Sequence, residues 1–123
     1  MPAPTFSSTN DATAPRDTVD SLVTQLTNLL GQIVDVSRTT ADPTALLQLH
    51  TEYLAVQSVL TQATQAQLAK DDAIFSQATT TLKSQAKVLD GMEDQIKSLV
   101  KDVDVAAKIV NGVVQAAALI AKL

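Results

Sequence analysis

From Asp17 onward the chain repeats apolar residues at steps of three and four, the spacing that gathers side chains onto one face of an α-helix. Val19, Leu22, Leu26, Leu29, Ile33 and Val36 form a first stripe, widened by Val23, Leu30 and Val34. Asp17 stands where an N-cap accepts the free amides of a first turn, and Asp20 adds favourable negative charge there. The stripe ends at Arg38-Thr39-Thr40-Ala41-Asp42-Pro43, where a capping Asp42 and a proline at the first helical position start a new helix. The second stripe is Leu46, Leu49, Tyr53, Val56, Leu60 and Ala63, flanked by Leu47 and Leu54. Helices over 17–39 and 43–69 follow, and so short a turn joins them as an antiparallel hairpin.

The stripe then fades to alanines and Leu68, and Lys70-Asp71-Asp72 is a candidate turn with no Gly or Pro to force it. Beyond it, Phe75, Ala78, Leu82, Gln85, Leu89, Met92, Ile96, Leu99, Val103, Ala106, Val110, Val113, Ala117 and Ile120 hold the heptad phase of a coiled coil. Asp90-Gly91 ordinarily marks a turn, but the step from Leu89 to Met92 keeps the phase. The pattern therefore predicts one helix over 73–122, about 75 Å long at 1.5 Å per residue. Thr79-Thr80-Thr81, β-branched and mildly unfavourable in a helix, marks a place where it could bend.

The expected fold class is all-α: a helical hairpin followed by a long heptad-patterned C-terminal helix, a bundle of three helices or of four if one of the candidate breaks is real. Residues 17–123 make one helical domain. Residues 1–16 hold three of the prolines, are rich in Ser, Thr and Ala and lack apolar periodicity, which reads as a flexible or extended arm. They carry no basic start and apolar run of a secretory signal.

Two hairpin helices cannot cover one face of a helix about twice their length. Part of the C-terminal stripe is then left for another chain, and the expected assembly interface is Leu89, Met92, Ile96, Leu99, Val103, Ala106, Val110, Val113, Ala117 and Ile120. On that expectation aspartate at Val110 or Val113 abolishes assembly. The segment from Val103 is apolar around most of its circumference, so it must be covered on most sides, either as the central helix of a monomeric bundle or against neighbouring subunits. Its charge-free run, Ile109 to Ala121, falls short of the roughly 20 residues of a bilayer span, so no transmembrane span is expected.

Composition narrows function further. With no Cys and one His there is no disulfide framework, zinc cluster or Cys/His nucleophile pair to build. Nine basic against thirteen acidic residues, no Trp and three other aromatics argue against nucleic acid as a partner. His50 and Glu52 sit two apart on a helix and face different ways. Asp71-Asp72 and the Asp90, Glu93, Asp94 group lie beside Lys70, Lys87 and Lys97, the pattern of a solvated face. Asp102 and Asp104 have no histidine near them, and no Gly-rich loop precedes a basic residue. No catalytic, metal or cofactor residue is therefore expected, and no enzyme activity.

Val19-Asp20-Ser21-Leu22-Val23-Thr24-Gln25-Leu26-Thr27 and the helix start Asp42-Pro43-Thr44-Ala45-Leu46-Leu47 resemble the helix-turn-helix of type III secretion needle and inner-rod subunits. The resemblance covers residues 1 to about 70, the Pro- and Ser-bearing start with Phe6 included. Needle subunits are shorter, essentially one hairpin, and this chain adds everything from Phe75 onward. The resemblance implies export without a cleaved signal and assembly by helical packing around a lumen.

The function these observations favour is a self-assembling helical subunit of a secretion-associated filament or oligomer, homo-oligomeric through its C-terminal helix, exported without a cleaved signal or cytoplasmic. The alternatives are a helical partner-binding protein, such as an export chaperone or immunity protein using Asp71, Asp72 and Asp94 against a basic helical partner, and a membrane-active helical protein.

Overall fold

The computed structural model describes residues 3–123, with side chains from residue 14 onward. It is all-helical, with four helices: α1 Ala3–Thr39, α2 Pro43–Leu68, α3 Asp72–Leu99 and α4 Val103–Ala121. α1 packs on α2 and α4, and α3 on the same two. Successive helices reverse direction, so the four close a ring in which α2 and α4 stand diagonally across from each other.

Each turn is built the same way, from three residues ending in an aspartate. Asp42 accepts from the Thr44 amide at 3.4 Å, Asp71 from Ala73 at 2.7 Å, and Asp102 from Asp104 and Val105 at 3.0 and 3.2 Å. These side chains satisfy amides that have no partner inside the helix, and Pro43 adds a residue whose missing N–H costs nothing there.

The single helix expected over 73–122 is thus two helices, broken at Val100-Lys101-Asp102 and continuous through Gly91. Periodicity measures spacing, not direction. The turn keeps the three-and-four count of Ile96, Leu99, Val103 and Ala106, so a chain reversal leaves no mark on the pattern.

The described helix also begins before Asp17. The arm expected over 1–16 is helical from Ala3, while residues 1–2 lie outside the described residues. Pro15 stands inside this helix and supplies no amide to its ladder. Arg16, assigned to the arm, instead binds the end of the bundle. Its Nη1 donates to the Ala69 carbonyl at 2.7 Å, its Nη2 to Asp72 Oδ1 at 3.1 Å, and its Cζ lies 4.4 Å from the centre of the Phe75 ring.

One apolar core runs through the ring. Val19, Leu22, Leu26, Leu29 and Ile33 of α1 meet Leu49, Val56 and Val59 of α2, Leu82, Leu89, Met92 and Ile96 of α3, and Ile109, Val113 and Ile120 of α4. On α2 the buried stripe is rotated from the expected one: Glu52 and Val59 are buried, Tyr53 and Leu60 lie at the edges, and Leu46 reaches solvent. Gly112 lets α4 come close to α1, where a Cβ would meet Gln25, Leu29 and Gln32 at 3.4 Å.

Candidate interaction surface

The residues expected to hold an assembly together are mostly spent inside the chain. Leu89, Met92, Ile96, Ala106, Val113 and Ile120 are buried in the intramolecular core, and Leu99, Val110 and Ala117 are half-buried. Of the ten, only Val103 stands free, 79% exposed. The cause is the reversal at Val100–Asp102: α3 and α4 lie against each other, and each has a second neighbour to complete its cover. The premise of a stripe too long to be buried therefore falls.

What is left exposed is a different face of α4. Val103, Ala107, Val110, Val114 and Ala118 follow one another at steps of three and four on its outer side. Val114 is 43% exposed, and Ala107 and Ala118 are open to solvent. Beside α3 this face forms a groove of about 720 Å³, floored by Val100, Ala106 and Val110 and rimmed by Lys97 and Lys101. Among the described residues α4 is the one helix long and apolar enough, by length and composition, to cross a membrane, a test that the core helix of a soluble bundle also meets.

Across the ring, α2 carries a second apolar row on its outward side. Leu47, Leu54 and Leu68 are 68%, 49% and 71% exposed. They fall in one heptad series with Thr61, which drifts only about 20° per heptad around a straight helix. The sequence pattern contained Leu47 and Leu54 only as flanks of the core stripe, and Leu68 only where that stripe fades.

Polar features are few. Glu52 is 5% exposed, and its carboxyl edges a polar cleft between α2 and α3 with Gln48, Thr51, Gln95 and Ser98. Burial raises its pKa above the usual carboxylate value. His50, exposed on α2, stacks on Tyr53 with ring centres 6.5 Å apart and planes 6° from parallel. Gln85, the polar member of the α3 stripe, has its Oε1 buried without a hydrogen-bond partner among the described residues. No group of three His, Cys, Asp or Glu side chains suited to a metal ion occurs among them.

No protein-family model matches the chain, and neither curated proteins nor solved structures give a match. The likeness to needle subunits rests on the residues quoted for it alone.

Proposed function

We propose that this protein is a structural, self-assembling helical subunit, as in a filament or oligomer, whose copies associate through the outward face of α4. The observation that carries this reading is the outward row of apolar residues on the most apolar helix of the chain, where Val103 is 79% and Val114 43% exposed and Ala107 is open to solvent. Water against that face is unfavourable by about 25 cal/mol per Å² of apolar surface, and a neighbour removes it. Much of that gain is spent on the lost freedom of the partners, so association is reversible and concentration-dependent. The rest of the molecule fits a non-catalytic role, since its one histidine is stacked on a tyrosine and its buried carboxyl lies among amides and hydroxyls.

Light scattering coupled to size exclusion, run over a hundredfold range of concentration, tests this. The mass of the wild-type chain rises with concentration, while Val103→Glu/Val114→Glu stays monomeric with unchanged helical circular dichroism. A wild-type mass fixed at one chain overturns the reading. The length and apolar character of α4 also suit a lipid surface. A monomer that co-sediments with phosphatidylcholine vesicles would favour membrane activity in its place.

A further inference from the structure

We infer that the contact between copies is heterologous: the leucine row on α2 of one copy seats in the α4 groove of the next, so that copies add head to tail in an open chain. This rests on the proposal that the protein self-assembles, and it names both halves of the contact. The two faces differ in kind. α2 presents protruding side chains, Leu47 and Leu54, while α4 presents small ones, Ala107, Val110 and Val114, around a groove. Leu47 and Leu54 are one heptad apart, as are Val103 and Val110, so knobs and holes share a spacing of about 10.5 Å along their helices.

The placement of the faces decides the symmetry. α2 and α4 are not adjacent and stand diagonally in the ring, so a copy can give its leucine row to one neighbour while its groove receives another. They also run in the same direction, because two reversals separate them. A copy displaced sideways without rotation therefore lays α2 parallel to α4, with the N-terminal caps at the same end. Exposed Asp42, leading into Leu47, then comes level with Lys97 and Lys101 at the groove mouth. Asp102 beside those lysines caps its own helix through Oδ1, as Asp42 caps α2. A two-fold contact of α4 with α4 would close a dimer, set small side chains against small ones and leave the leucine row of each copy in water. A contact between two different faces has no such closure and propagates.

A mixing experiment tests the inference. Leu47→Glu/Leu54→Glu removes the knobs and keeps the groove; Val103→Glu/Val114→Glu removes the groove and keeps the knobs. All four positions are well exposed, so both variants fold, which circular dichroism checks. Sedimentation velocity is expected to show each variant alone as a monomer, its association weakened more than tenfold. Their equimolar mixture gives a dimer that grows no further, because only one productive contact remains. If the α2 variant associates like the wild type, or the mixture stays monomeric while the wild type assembles, the heterologous contact is wrong and self-assembly stands. If the wild type itself is monomeric throughout, the underlying proposal fails.

Discussion

A carboxyl group on a core stripe costs free energy unless something neutralises it. Glu52 occupies such a position on α2, between Leu49 and Val56, where burial raises its pKa. The folded chain then holds the proton more tightly than the unfolded chain, whose carboxyl titrates near 4.5. Below that value the group carries no penalty. As pH rises from about 4.5 through the raised folded value the penalty appears, and above it the penalty is fully present. Glu52→Gln is expected to stabilise the bundle at pH 7 by about 1 kcal/mol, raising Tm by roughly 4 °C, and to bring almost nothing at pH 4. Thermal melts of both proteins at the two pH values check this, and an equal gain at both would contradict it. Arg16 works in the opposite sense. Its ion pair with Asp72 is exposed on the aspartate side and contributes little, so the Ala69 hydrogen bond and the Phe75 ring supply most of its effect. Arg16→Ala is expected to lose about 1–2 kcal/mol in urea denaturation, and Asp72→Ala less than half of that.

The helices depend on their glycines and turns in ways that separate cleanly. Gly31 and Gly91 lie within helices with open space where a Cβ would stand, so each costs backbone entropy with no packing return. Gly31→Ala and Gly91→Ala are each expected to stabilise by about 0.5–1 kcal/mol in urea denaturation. At Gly112 a Cβ would stand in van der Waals contact at 3.4 Å with the side-chain ends of Gln25, Gln32 and Leu29, so the gain of Gly112→Ala depends on that packing as well as on helix propensity. The stripes of α1 and α3 were legible because their neighbours bury them almost evenly, and the Asp42-Pro43 start was legible because both residues act locally. The reversal at Val100–Asp102 was not, since its apolar spacing matches that of a continuing helix. The missed signal was the Lys-Asp pair: Lys70-Asp71 and Lys101-Asp102 each lead into a helix, and only the first was read as a turn. The rotation of the α2 stripe was hidden because Glu52 is polar, and a pattern of apolar residues passes it over.

At the scale of the whole molecule the reversal changes what an assembly can use. Val113 is fully buried, so Val113→Asp unfolds the bundle instead of dispersing the copies, and helical circular dichroism at 222 nm falls with it. Val114→Glu, one residue on, leaves that signal intact and weakens association. The two neighbours thus separate fold from interface, a distinction the heptad pattern could not make. The α3–α4 hairpin carries the entire account, because a continuous helix over 73–122 would leave the original stripe open and the outer groove nonexistent. The chain has no cysteine, so a pair introduced at exposed Gln77 and Ala118 can be spin-labelled cleanly. In monomeric, magnetically diluted samples, pulsed dipolar spectroscopy should give a distance below about 30 Å, as for neighbouring antiparallel helices. A distance near 60 Å, the length of unbroken helix between those residues at 1.5 Å apiece, would contradict the hairpin and the assembly surface built on it.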